Sequence, residues 1–183
     1  MKDIIKVTVV LLIICLIASG ILAFVYKKTA PIIEENKKIE QENARKEVLP
    51  KAKYFESVCD NGKILYYKGF NESKKLVGYT FQCEKDGYSS KIQTMVGIDT
   101  LLQITGIKIV SQQETPGLGA NCIKPKFIEQ FKNKNPTTIY VDKDGGDIES
   151  ITGATISTRA ITNPIREKFI AIKRKLENRG KIK

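Results

Sequence analysis

The first strong pattern in the chain is a run without charge. Val7 to Val25 is apolar apart from Thr8, Cys15, Ser19 and Gly20, with Lys6 before it and Lys27 and Lys28 after it. A spanning helix needs roughly 20 such residues. A cleaved leader is the competing reading, with Ala18-Ser19-Gly20 as a passable cleavage site. The run is longer than a leader's apolar core and continues past that site, which favours an uncleaved anchor. A lipoprotein leader fits less well, because the bulky Ile14 precedes Cys15. Lys2 and Lys6 on one side balance Lys27 and Lys28 on the other, so charge does not set the orientation.

From Pro31 to Leu49 the pattern turns polar, rich in Glu, Lys and Asn, with sparse apolar positions at Ile32, Ile33, Ile39 and Val48. It reads as a helical stalk or a linker, ended by Pro50. From about Tyr54 the signals are strand-like. Lys63–Tyr67, Leu76–Cys83, Ser90–Val96 and Leu101–Val110 are short and rich in Ile, Val, Tyr and Thr. Asn61-Gly62 and Asp86-Gly87 are hairpin turn signals. Pro125 to Lys134 reads as a short helix with Phe127, Ile128 and Phe131 on one side, and Thr138 to Val141 as a further strand before the turn at Asp142–Gly146. Ile161, Ile165, Phe169, Ile172 and Leu176 then recur at helical spacing. Pro164 interrupts that last pattern: either one long helix is kinked, or Asn163 caps a second helix with Pro164 at its first position. These elements give an α+β fold with three parts: an N-terminal transmembrane anchor over 1–28, a polar stalk over 29–50, and a single domain over 51–183.

Charge and composition narrow the chemistry. Lys and Arg number 31 against 20 acidic residues, a net charge of +11. The lysines are scattered, and no nucleic-acid motif or aromatic-basic stripe accompanies them, so a nucleic-acid partner is not expected. The chain has no histidine, which removes Ser-His and Cys-His nucleophiles and His-ligated metals. Cys15, Cys59, Cys83 and Cys122 stand far apart, without the CxxC spacing of zinc or iron–sulfur sites, and no metal site is expected. A Cys59–Cys83 bridge is chemically open in an oxidising compartment, and sequence does not decide it.

Two loops stand out. Ser150-Ile151-Thr152-Gly153-Ala154-Thr155-Ile156-Ser157-Thr158 places hydroxyls around a Gly-Ala pair, immediately before the last helical pattern. Gly153 permits a sharp turn. The first turn of a helix offers free N–H donors that suit a phosphate. The same composition also fits an ordinary helix cap. The second loop, Glu114-Thr115-Pro116-Gly117-Leu118-Gly119-Ala120, is a rigid turn with two permissive backbone positions, and a plain surface turn is its simplest reading.

Taken together with Gly78-Tyr79, Gly87-Tyr88 and Met95-Val96-Gly97-Ile98-Asp99, these loops resemble the FMN-binding domain family. They are similar to the G subunit of the Rnf electron-transport complex, and to the C subunit of the sodium-translocating NADH:quinone oxidoreductase. The resemblance covers nearly the whole chain, and its short length is more like the Rnf protein. It implies FMN attached covalently through a phosphoester to Thr155, the last residue of Thr152-Gly153-Ala154-Thr155. It also implies installation by a separate flavin transferase, and a domain on the extracytoplasmic side of the cell membrane. The family often has Asp six residues before this Thr, where Glu149 stands here, with Asp147 two places earlier. Thr152, Gly153, Ala154, Ser157 and Thr158 are then candidates to donate to the phosphate. Glu114, Thr115, Gly117, Leu118 and Gly119 are candidates to border the isoalloxazine, with Leu118 packing on its face.

The implied function is an electron-carrying subunit of an ion-translocating ferredoxin:NAD oxidoreductase, working among other membrane subunits and not catalytic alone. The alternatives are an FMN subunit of another membrane redox chain, or a non-redox membrane-anchored binding or assembly module. Covalent flavin separates that last reading from the others.

Overall fold

The computed structural model describes residues 2–60 and 62–180. The chain divides into two compact units, Met1–Glu40 and Gln41–Lys183. A single helix, α1 (Lys2–Val48), begins in the first and ends in the second. Within the first unit its apolar side chains from Val7 to Val25 are exposed, and the helix is long and apolar enough to cross a membrane. Pro31 lies inside the helix without ending it. Just before it, the Thr29 hydroxyl donates to the Val25 carbonyl at 3.0 Å.

The second unit is built on a five-stranded sheet: β1 (Tyr54–Asp60), β2 (Lys63–Phe70), β3 (Leu76–Asp86), β4 (Lys91–Asp99) and β5 (Ile104–Ser111). The strand order is β1-β2-β3-β4-β5, every neighbour antiparallel, a meander joined by short turns. Such connections suit a chain whose apolar positions alternate every second residue. β4 shows why the sheet needs cover on both faces. Ile92, Val96 and Ile98 are buried in the main core, while Met95 faces a smaller cluster with Ala44 and Val48 at the end of α1. Gly97 lies against that end of α1, where a Cβ would collide with the Val48 carbonyl. The last two turns of α1, which the polar pattern assigned to a stalk, are therefore packed into the folded unit.

The main core lies between the sheet and α3 (Thr155–Gly180). Ile161, Ile165, Phe169 and Ile172 are buried and Leu176 half-buried, the face that helical spacing predicted. Pro164 lies within this one continuous helix, so Asn163 does not cap a second one. The Asn163 side chain instead accepts from Arg166 at 3.3 Å. Pro164 itself is buried. β2 and β3 pair only as far as Tyr67 and Thr80. Beyond that point they part, and Lys168 of α3 donates to the Gln82 carbonyl at 2.6 Å.

Several local expectations change. Thr138–Val141 is not a strand: it is irregular, with one parallel bridge between Val141 and Ile148. The segment from Pro125 to Lys134 forms only a single turn, α2 (Pro125–Ile128), followed by a 3-10 turn at Glu129–Phe131. Asn133, in the left-handed region at φ 60°, stops it. The strand expected from Leu101 begins at Ile104, because the Asp99 side chain accepts from the N–H groups of Leu101 and Gln103 and holds a turn there. β1 carries no alternating pattern, since most of this edge strand is exposed. The Asn61-Gly62 turn falls partly outside the described residues, at Asn61; Gly62 has the positive φ the turn requires, 76°. Cys59 on β1 is exposed and Cys83 on β3 is buried, with β2 between them, and neither is bridged.

Candidate functional site

α3 starts at Thr155, and Gly153 two residues earlier has φ 72°, so the chain turns into the helix at the Gly-Ala pair. Ala154 N–H donates to the Ile151 carbonyl at 2.8 Å and closes the turn. Thr158 locks it from inside: its buried hydroxyl accepts from Ile151 N–H at 3.1 Å and donates to the Ala154 carbonyl at 3.0 Å. Arg159 braces the helix start from outside with paired bonds to the Asp144 carboxylate at 2.9 and 2.6 Å. The N–H groups of Thr155, Ile156 and Ser157 head the helix, where no preceding turn supplies carbonyls.

The Glu114 loop meets this helix start through one buried carboxylate. Glu114 is 5% exposed. It accepts the Ser157 hydroxyl at 2.6 Å, and also the N–H groups of Tyr88 at 3.2 Å, Ser89 at 3.0 Å and Ser90 at 3.0 Å. It thereby joins the β5–α2 loop, the β3–β4 turn and the first turn of α3. Burial pushes its pKa up, but the hydrogen bonds from Ser157, Ser89, Ser90 and Tyr88 outweigh this and hold it below the ordinary Glu value. Cys122, whose thiol is pushed up to about 11 first by burial and then by the Glu114 charge, stays neutral nearby. Gly119 is the space this clasp needs, since a Cβ there would lie 2.6 Å from both Glu114 Oε2 and Ser157 Oγ.

Above the clasp is a cleft of about 450 Å³ lined by both loops: Glu114, Thr115, Leu118 and Gly119 from one, and Gly153, Ala154, Thr155, Ile156 and Ser157 from the other, with Tyr88 completing it. Leu118 leans on the second loop, where a Cβ at Gly153 would stand 3.1 Å from its Cδ2. Thr155 is half-buried, and among the described residues its hydroxyl makes no hydrogen bond. Ser157 and Thr158 differ: both are buried with their hydroxyls already engaged. Thr152 and Gly117 line an adjacent depression of about 360 Å³, together with Lys124, Lys126 and Glu149. Glu149 is exposed there and pairs with Lys126 at 3.8 Å. Tyr88 and Ile156 are lining residues that sequence reasoning did not select. Tyr88 stood in the Gly87-Tyr88 pair that contributes to the resemblance, without a role of its own, and nothing local ties it to Glu114, 26 residues on.

The cleft is of the size that takes a cofactor (about 300–1,000 Å³). Its apolar walls, helix-start donors and the unengaged Thr155 hydroxyl fit a planar ring system carrying a phosphate. The fold and cleft thus define a cofactor-binding α+β domain on a membrane-type helix.

The family model described as an FMN-binding domain matches residues 87–168, and the one described as the RnfG N-terminal region matches residues 1–48. The chain is 36% identical over 172 residues to the G subunit of the ion-translocating oxidoreductase complex of Methanosarcina acetivorans, covering 90% of this chain and 92% of that one. It is 34% identical over 169 residues to the G subunit of the proton-translocating ferredoxin:NAD(+) oxidoreductase complex of Clostridium ljungdahlii, covering 91% and 90%. In fold it is similar to the crystal structure of the C subunit of the Na(+)-translocating NADH-quinone reductase of Parabacteroides distasonis, with TM-score 0.57 and 18% identity over 73% of this chain and 90% of that one. The chain belongs to the G-subunit family of ion-translocating oxidoreductase complexes, and it carries that family's FMN-binding domain.

Proposed function

We propose that this chain is an electron-relaying subunit of a membrane-bound ferredoxin:NAD oxidoreductase of the ion-translocating type. In this reading FMN is attached through a phosphoester to Thr155, and the domain lies on the extracytoplasmic side. The observation that carries it is the contrast among the hydroxyls at the start of α3: Ser157 and Thr158 are tied into the protein, while Thr155 faces the cleft with its hydroxyl unengaged. A phosphate on Thr155 Oγ would be held at the positive end of α3, with the N–H groups of the first turn as its donors. Leu118, Ile156 and Tyr88 supply apolar wall for the ring.

When bound, FMN supplies the redox chemistry, and the residues of the chain hold it, shield it and set its surroundings. Attachment needs another protein. A Thr hydroxyl is a weak nucleophile without a base. The chain has no histidine, and the carboxylate of the cleft, Glu114, is saturated with donors and held ionised. A flavin transferase fills that role.

The chain moves no ions alone, since Val7–Val25 carries no ionisable group of the kind that lines an ion path. Relatives of equal identity, 34%, are named for protons in one case and for sodium in another. That accords with a coupling ion chosen by other subunits. Electrons enter and leave through those membrane partners, because the chain carries neither a dinucleotide fingerprint nor clustered cysteines.

Tryptic mass spectrometry of the protein co-expressed with a flavin transferase tests the attachment. The peptide bearing Thr155 should gain the mass of FMN less water. Thr155→Val should abolish flavin fluorescence on a denaturing gel, and Thr152→Val should retain it. Label surviving in Thr155→Val refutes the assignment, and absence of any label returns the chain to a non-redox assembly module.

A further inference from the structure

We propose that Tyr88 is the aromatic wall of the flavin pocket, stacking on the isoalloxazine opposite Leu118, and that Glu114 is the positioning residue that holds it there. This rests on the reading of the cleft as the FMN site.

Among the described residues Tyr88 is the one aromatic residue lining the cleft, and it is 75% exposed. Leu118 and Ile156, at 44% and 52% exposure, give the same cleft aliphatic surface. Apolar side chains left open at a cofactor site gain their burial when the cofactor arrives, and a flat ring system is matched best by another flat ring.

The backbone beneath Tyr88 is unusually well held for a hairpin tip. Its own N–H and those of Ser89 and Ser90 all end on the Glu114 carboxylate. Ser90 Oγ also accepts the Gln113 N–H at 2.7 Å. Gly87 makes room for this, since a Cβ there would lie 2.6 Å from Glu114 Oε1. A buried carboxylate is costly, and its donors recover that cost only in this geometry. The same carboxylate takes the Ser157 hydroxyl, two residues after Thr155. One anion therefore sets the distance between the turn that presents the ring and the helix start proposed to carry the phosphate. Rigid backbone under an exposed aromatic side chain is the arrangement expected of a stacking partner whose position matters.

A phenol in van der Waals contact with an excited flavin quenches its emission by reversible electron donation, whereas a phenyl or alkyl side chain does not. The test uses the full chain, loaded by a flavin transferase and solubilised in detergent. Flavin emission is compared in the native state and after denaturation in wild type, Tyr88→Leu, Tyr88→Phe and Glu114→Gln. Wild-type emission should be weak in the native state and rise on denaturation. Tyr88→Leu should raise native emission towards the denatured level and shift the visible absorbance of the flavin. Tyr88→Phe should raise emission while keeping the wild-type absorbance, because the ring still stacks. Glu114→Gln should give intermediate emission with heterogeneous lifetimes, as the turn loses its anchor. Label on the denaturing gel reports attachment separately: its loss from wild type sinks the FMN reading and this proposal with it, whereas full label without native-state quenching sinks this proposal alone. Should Tyr88→Leu load poorly, Tyr88→Phe decides. Native emission as weak in a fully loaded Tyr88→Phe as in wild type overturns the proposal.

Discussion

Replacing Glu114 with Gln separates the charge of the clasp from its shape. The amide keeps the volume, but one of its two terminal atoms now donates where the carboxylate only accepted, against the N–H groups of Tyr88, Ser89 and Ser90 and the Ser157 hydroxyl. Hydrogen bonds to a charged group contribute roughly 1.5–3 kcal/mol each, so a net loss of about 2 kcal/mol is expected. The pH dependence has a definite sign. The pKa of Glu114 is lower in the folded protein than in the unfolded chain, so its contribution is complete above the unfolded value and fades as pH falls through the folded one. Thermal unfolding from neutral to acid pH should show wild type and Glu114→Gln converging on the acid side; a constant gap would mean that charge is not what the clasp uses. Gly117→Val tests a different property. The position is open, with nothing within 4 Å of an added Cβ, but its φ is 80°. The left-handed conformation costs a side chain roughly 1–2 kcal/mol. The loop should shift, altering flavin absorbance while attachment at Thr155 is at least partly retained. An unchanged spectrum and redox potential would put this loop away from the ring.

At the scale of elements, α1 serves two purposes with one helix. Its apolar stretch is a membrane-type span, while Ala44 and Val48 near its C-terminus close the second face of the sheet over Met95 and Val110. Thr105 donates to the Val48 carbonyl, Lys108 pairs with Glu47 at 3.0 Å, and Arg45 lies over the Tyr67 ring at 3.7 Å. A fragment spanning 41–183 should therefore fold as a water-soluble domain. One spanning 50–183 exposes Met95 and the groove beside Gly97, and loses on the order of 5 kcal/mol by the area that Ala44, Val48 and Leu49 bury together with the polar contacts above. Denaturant titration of the two fragments checks this. Equal midpoints would show that the last turns of α1 are dispensable to the domain.

For the whole molecule, the two expected outcomes are anchoring and dependence on partners. Alkaline carbonate extraction should leave the chain in the membrane pellet, and a full-length chain in the soluble fraction would overturn the anchor. The purified, flavin-loaded protein should be reduced by dithionite yet oxidise neither NADH nor reduced ferredoxin. In the assembled complex, Thr155→Val should stop ferredoxin-to-NAD electron flow while the other subunits remain in place. Normal turnover in that variant, with flavin confirmed absent from this chain, would remove it from the electron path.

The sequence by itself determined what local periodicity and local chemistry encode. The uncharged run of α1, the β-branched and aromatic runs of β2 to β5, the buried face of α3 and the turn at Gly153 each depend on residues within a few positions of one another. For the same reason both loops were legible, because glycine, proline and hydroxyl residues at short spacing have few conformational uses. What the tertiary structure decided is how those pieces meet. As hydroxyls Ser157 and Thr158 are chemically like Thr155, which the resemblance alone had set apart, but a carboxylate 43 residues away takes one hydroxyl and the turn's own backbone takes the other. Glu114 read as a candidate to border the ring and proves also to be the buried junction of three segments, and that junction holds the backbone of Tyr88 at the cleft. Thr138–Val141 had strand propensity but pairs only through the single bridge from Val141 to Ile148, and the polar pattern of the stalk hid the short apolar stripe that docks on β4. Propensity and spacing act along the chain, whereas pairing, burial and the satisfaction of buried polar groups act across it.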